Sequence, residues 1–560
     1  MKRTLLLFLF IFLSYSTSAQ NSYLKISGAS EFENKTIDSI GYNKKHSNVK
    51  TVFEEMQLIS DKLMKMGYID TEVLKNSKVN DSTFLFQIQL GNRTNFIYLY
   101  IGRNSVLKSL ANFESKSDTL IMKISETESF LDQTLGKLES NGYSLSKLKL
   151  VNFRKIKKHL TAELILETGT LRLLNDIVIN GYDKFPEGHK KEIVRLHKNK
   201  TFNQENLKKI FNDFEKFRFV NQTKYPEILF TKDTTKVYVY LEKSKANKFD
   251  GYIGFSNDEN NKLAFNGYLD LLLVNIMNAG EEFSLYWKSD GGNQKTFNLG
   301  VEVPYIFKSP IGIKASLNIF KQDSIFQNTR TTIDLGYFFN YNSRLYLGYQ
   351  SAESSDIQNK NSSIISDYKN SFLTSNLEYT KQDSENVTFP KKSSIALKMG
   401  IGKRTTNQLA QTLGTNKQTY IHINAMHNFY LNRKNCLNIN YQNYFLKSDT
   451  YIINELYRFG GINSIRGFSE NTLQANFMTA LISEYRYIIS KDLFIHTIMD
   501  YGYYQDKSSD NKGNLLGLGL GMGLKTKNGL IKISLANGTT KAQEIKFYDS
   551  IVTIRYNVVF

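Results

Sequence analysis

Cysteine is almost missing from this chain. Cys436 is the only one in 560 residues, so no intrachain disulfide can staple the fold. Proline numbers five and tryptophan one, against 34 tyrosines and 38 phenylalanines, a balance that favours β-strands. Past the first twenty residues no run of eighteen apolar residues occurs, and the mean hydropathy is −0.37, which excludes helical membrane spans. A chain of this composition that crosses a membrane has to do so as a closed barrel, where every backbone group is paired. The seven histidines never reach a metal-binding spacing. His422 and His427 are the nearest pair of interest, and five residues along a strand puts them on opposite faces. No nucleophile elbow, phosphate-binding loop or H-E-x-x-H motif is present, so the sequence supports no enzymatic activity and calls for no cofactor or metal.

What is there begins with a leader. Lys2 and Arg3 precede an apolar stretch from Leu5 to Leu13, and Thr17-Ser18-Ala19 forms a small-residue cleavage site before Gln20, so residues 1–19 read as a secretory signal. No cysteine lies near the cleavage site to carry a lipid. Export removes nucleic acid as a partner, although the formal net charge of +19 would suggest it for an intracellular chain. The densest basic run, Arg154 to Lys158, is expected to be a solvated face.

From residue 20 to 247 a mixed α/β pattern repeats. Helical periodicity runs over Val49–Met66, Glu126–Ser140 and Gln204–Lys216, and each helix ends at Gly67-Tyr68, before Gly142-Tyr143, and near Arg218-Phe219, junctions 75 and 76 residues apart. Alternating strands follow each time, at Phe84–Leu90, Leu164–Glu167 and Val237–Leu241. Fixed spacing of one supersecondary unit marks a tandem array, with boundaries placed at 20–92, 93–169 and 170–247. The first unit is the weakest, because Tyr23 to Ser47 has little periodicity. In the third, Leu173 to Gly181 is the expected first strand, and Arg218 stands where the others have glycine.

Residues 248–560 break into short alternating runs separated by Asn, Asp, Gly and Ser, enough for about 16 strands at roughly 20 residues per strand and connection. The last run is the clearest. Val552, Ile554, Tyr556, Val558 and Phe560 share one face, Thr553, Arg555 and Asn557 the other, and the chain ends on an aromatic. Gly517, Gly519, Gly521 and Gly523 alternate with Leu518, Leu520, Met522 and Leu524. This spacing departs from a dinucleotide loop, and period two instead gives an all-glycine inner face with empty volume. At the start of this half, Gly251 and Gly254 weaken the first strand at the place where it would meet the last.

One loop stands out. Gly460 and Gly461 precede Ile465-Arg466-Gly467-Phe468, a tightly turned segment that would present one fixed guanidinium. Thirty residues on, Phe494 to Tyr503 places His496, Asp500 and Gly502 on one strand face and Ile495, Met499, Tyr501 and Tyr503 on the other. Asp500 then faces a polar lumen, where an arginine fork and a carboxylate pair bidentately. Glu484 and Arg486 on the preceding strand would join that polar network.

The loop resembles that of the BamA/TamA superfamily of outer-membrane assembly barrels, in which an (V/I)-R-G-(F/Y) tetrad sits at the tip of a long loop folded into the barrel. The strand around Asp500 resembles the family's F-x-D-x-G strand, with Ile498 in place of its aromatic. The 517–535 stretch resembles its G-L-G-L strand and following hairpin, and Val303-Pro304-Tyr305 an early barrel strand ending in proline. The tandem units resemble the family's periplasmic POTRA domains, with the order β-α-α-β-β, and three units make the chain most TamA-like, against the typically five of BamA. The resemblance implies a salt bridge from Arg466 to Asp500, the loop tip against the glycine face, and Phe560 as the signal by which the barrel is itself inserted. It also implies a non-enzymatic biogenesis factor of the bacterial outer membrane with periplasmic N-terminal domains. Its partners would be outer-membrane lipids, unfolded outer-membrane or secreted polypeptides, and a periplasmic or inner-membrane protein reached through the POTRA-like units. A two-partner-type secretion transporter, a lipid-handling channel, a passive porin and a surface receptor or adhesin are the alternatives. The last two have no use for the loop motif.

Overall fold

The computed structural model describes residues 21–560 except 103–106, 108–117, 258–262, 291–293, 359–364, 384–385, 387, 407–413, 528 and 541–549. The leader lies outside the described residues. Two compact units are formed, one holding the first two α/β modules with residues 200–206, the other the rest of the third module and the barrel.

In the first module the strand Ser22–Gly28 runs parallel to Thr83–Gln89, and Glu72–Asn80 forms an open edge beyond it. Helices Glu31–Ile40 and Val49–Lys65 complete the module. The second helix starts because the Asn48 side chain accepts from the Thr51 amide, and its buried stripe is Val52, Met56, Ile59 and Leu63, at the spacing of one helix face. It stops at Gly67, φ 98°, where the Gly67 amide donates to the Met64 carbonyl and the Tyr68 amide to Leu63, a Schellman closure. Gly142 and Tyr143 close the helix Ile124–Ser140 in the same way, with bonds to Glu139 and Leu138. The repeated Gly-Tyr pair is therefore a helix stop followed by an aromatic plug: Tyr68 is buried in the first core. At Arg218 no left-handed residue is needed. The turn closes instead through Phe217 to Phe214 and Val220 to Phe217 bonds, and Phe219 takes the plug position, fully buried.

The second module pairs Phe96–Tyr100 parallel to His159–Glu167, with Thr119–Lys123 and Lys147–Ile156 at its edges. The basic run Arg154–Lys158 is solvent-exposed, as expected. The third module has the strand Asp176–Asn180, helices Glu187–His197 and Gln204–Phe214, and strands Val220–Phe230 and Thr235–Lys243. The faint periodicity of the first module also has a cause: helix Glu31–Ile40 buries a single residue, Ile37.

The second half closes into a sixteen-stranded antiparallel barrel from Lys248–Asn257 to Ile551–Val559. Outward residues such as Leu347, Tyr349, Leu373 and Ile401 are exposed, and alternating neighbours such as Tyr346 and Phe372 are buried inside.

His189 lies where the third module meets the barrel, beside the Tyr182–Asn275 hydrogen bond and the Arg218–Glu282 ion pair. His189 of helix Glu187–His197 is fully buried among Phe217, Phe219, Tyr305 and Tyr341, with ring centroids 4.7–5.7 Å away. Neither ring nitrogen has a hydrogen-bond partner among the described residues. Burial, aided by the nearby Arg344 guanidinium, pushes its pKa down to about 3. A pKa lowered on folding makes the neutral form the stable one, so stability is intact above about 6.5 and is lost as pH falls toward 3. At pH 5 the cost is about 2 kcal/mol. Amide exchange in helix Glu187–His197 should therefore speed up between pH 7 and pH 5 after correction for the intrinsic rate. His189→Phe should remove that dependence.

Candidate functional site

The chain from Lys447 to Asn476 leaves the barrel rim, folds into the lumen and returns. Within it Tyr457–Phe459 and Leu473–Ala475 pair as a short ladder, which fixes the two ends of the Arg466 segment at one height. Gly460, Gly461 and Gly467 have φ of 105°, 88° and 88°, all in the left-handed region. At Gly467 space matters as much as dihedral angle, because a Cβ would overlap the backbone of Asn537 and Gly538 on the barrel wall. Ile465 is buried in an apolar cluster with Phe459, Met478, Ala480 and Leu515, so the segment is held by packing on both sides of the arginine.

Arg466 is 5% exposed and Asp500 fully buried. Arg466 Nε donates to Asp500 Oδ2 at 2.8 Å and Nη2 to Oδ1 at 2.6 Å, the two parallel bonds of a fork on a carboxylate. The Arg466 amide adds a third bond to Oδ2 at 3.0 Å. Nη1 donates to Glu484, and Nη2 also to the Ser483 carbonyl at 3.1 Å. Glu484 in turn accepts from Arg486 at 2.8 Å and Lys532 at 2.8 Å, with His496 at 3.9 Å. Two carboxylates thus hold the Arg466 and Arg486 guanidinium groups and the Lys532 amine in one lumen network. Asp500, Glu484 and Arg486 come together as the sequence suggested, and Lys532 is an addition that alternation along strand Gly529–Thr540 alone could have flagged.

The glycine face needs correcting. Gly517 does receive the loop, since a Cβ there would overlap the Arg466 carbonyl, and Gly502 makes room for Ile465. Gly521 and Gly523 do not. Their register partners across the ladder are His496 and Phe494, whose rings lie over the glycines and fill the volume, while Gly519 abuts the Leu535 and Ala536 backbone. A bare glycine in a strand is covered most easily by the aromatic directly opposite, which is nearer than any loop.

Further anchors escaped the sequence. Glu455 pairs with buried Arg404 and accepts from Gln418 at 2.6 Å. Asn454 donates to Ser354 at 2.7 Å, and Glu470 binds Lys288. Tyr420, Tyr444, Tyr457 and Phe459 form a stacked ladder between wall and loop, with Tyr444 and Tyr457 centroids 4.6 Å apart. The loop is thereby tied to strands on several sides of the lumen.

The seam is the other unusual feature. Among the described residues the first and last strands pair only at Lys248 with Val559 and Phe249 with Val558, while the last strand has eight partners on its other side, from Gly529–Val558 to Ala536–Ile551. Phe560 follows directly, its amide donating to the Asn247 carbonyl at 3.0 Å.

The site is thus a closed sixteen-stranded barrel whose lumen holds an R-G-F loop locked to an inward aspartate, in a chain whose N-terminal part folds as α/β modules. The Omp85 superfamily domain matches residues 275–550, so the barrel carries an Omp85 superfamily domain. Among solved structures it is similar to CdiB from Escherichia coli, 12% identical, over 95% of this chain and 100% of that one, with a TM-score of 0.51. CdiB from Acinetobacter baumannii is 12% identical over 82% and 86%, again with a TM-score of 0.51. BamA from Haemophilus ducreyi lacking POTRA domains 1–3 is 14% identical over 82% and 97%, with a TM-score of 0.47. No curated protein matches the chain. At these identities the likeness is one of fold.

Proposed function

We propose that the protein is a non-enzymatic biogenesis factor of the bacterial outer membrane, with its α/β modules in the periplasm, that inserts other polypeptides by templating their strands at the barrel seam. The observation that carries this is the seam itself: among the described residues two backbone pairs close it, where the strand pairs on either side have ten and eight. Unpaired strand edges accept an incoming strand by the same main-chain bonds that close the sheet. The exposed edge Glu72–Asn80 of the first module offers the same chemistry to an extended client. The loop supports this function over a passive pore, since Phe459, Ile465 and Arg466 occupy the lumen as buried groups. Three modules fit a TamA-like subtype. Depleting the protein and comparing outer-membrane with secreted proteomes tests the proposal. Loss of several barrels is the expected result, and loss of one secreted polypeptide with intact barrels would replace it by two-partner-type secretion.

Phe560 is proposed to serve the chain's own insertion, as the terminal outward aromatic of the last strand. Deleting it should leave the protein in the periplasm or degraded, read by fractionation and surface labelling. Wild-type surface levels of the shortened chain would contradict the assignment.

A further inference from the structure

The lumen face beside the seam carries an arrangement of charge that backbone pairing does not require. Asp250 on the first strand and Asp270 on the second are direct cross-strand partners, and like charges so placed repel. Asp250 is buried. Its Oδ1 accepts from the Tyr268 hydroxyl at 2.6 Å, and its Oδ2 has no hydrogen-bond partner among the described residues. The cation that pairs with that oxygen comes from across the seam: Arg555 Nε of the last strand, 3.8 Å away. On its own hairpin Arg555 faces Lys532, so it is repelled on one side and attracted on the other. It also donates to Asn463 at 3.4 Å, three residues before Arg466. Lys248, two residues along the same face as Asp250, is the first strand's own cation. Beside the two backbone pairs of the seam, the Arg555–Asp250 ion pair is the salt bridge that crosses it among the described residues.

We propose that Asp250 and Asp270 form a charge-reading site, and that the client this protein accepts is a strand bearing Lys or Arg on its lumen side five residues before an outward aromatic, as Arg555 stands before Phe560. A client with a carboxylate there brings a third negative charge into a lumen wall that already holds two. This inference rests on the seam-templating function proposed above, and adds to it a rule for which strands are taken.

The test uses the full chain in liposomes, with Cys436→Ser and Phe249→Cys. Synthetic peptides copy residues 551–560 with Val558→Cys, the register partner of Phe249, so that a seated peptide forms a disulfide. One peptide keeps Arg555 and one carries Arg555→Glu. The Arg peptide should be captured about fivefold faster. The preference should invert in Asp250→Lys. Because Asp250 is buried, Asp270→Lys at its more exposed partner provides a second variant, in which the preference should at least vanish. Equal capture of both peptides by the parent, or an unchanged preference in both lysine variants, overturns the charge rule and leaves the templating function standing. Capture of neither peptide by any form overturns both.

Discussion

Arg466→Ala should abolish most of the protein's activity and loosen the lumen loop, and it should do so more severely than Asp500→Ala. In the arginine variant, Asp500 keeps only two backbone amides, that of residue 466 at 3.0 Å and that of Ser483 at 3.3 Å, so a fully buried carboxylate is left without a cation. Breaking a buried pair in this way costs about 3–5 kcal/mol. In the aspartate variant Arg466 still has Glu484 and the Ser483 carbonyl, so less charge is stranded. Arg466→Lys should fall between wild type and Arg466→Ala, because one ammonium cannot form the fork on Asp500 and reach Glu484 together. The double variant should be no worse than Arg466→Ala alone, the non-additivity of two groups acting as one. Protease accessibility of the 448–476 loop and the temperature at which the barrel unfolds on a gel are the measurements. Additive, near-silent effects would contradict the network.

The loop and its aspartate were legible in the sequence because both are local patterns. Glycines that permit left-handed turns flank one arginine, and a period-two strand puts Asp500 inward. Glu484 and Arg486 followed from the same alternation. The anchors around them were not legible, because nothing near Glu455 or Glu470 in the chain announces Arg404 or Lys288, which barrel closure brings in from 51 and 182 residues away. The glycine face was half legible. Alternation located it, but what fills it depends on register, and register placed His496 and Phe494 over two of the four glycines. The tandem modules were visible through their helix stops, since Gly67 and Gly142 mark Schellman closures that a sequence can show. The first strand and helix of the first module were not, since a helix that buries only Ile37 leaves almost no periodic trace.

The second large effect belongs to the seam. Phe249 and Val558 are register partners on its outer face, so Phe249→Cys with Val558→Cys, in a Cys436→Ser background, places two thiols where a disulfide spans the first and last strands. A covalent bond there fixes the one strand pair that backbone hydrogen bonds hold at only two positions. Client insertion measured in proteoliposomes should be lost when the pair is oxidised and return when it is reduced, with each single cysteine variant behaving as wild type in both states. Full activity of the oxidised barrel would contradict seam templating and would direct the polypeptide through the lumen instead.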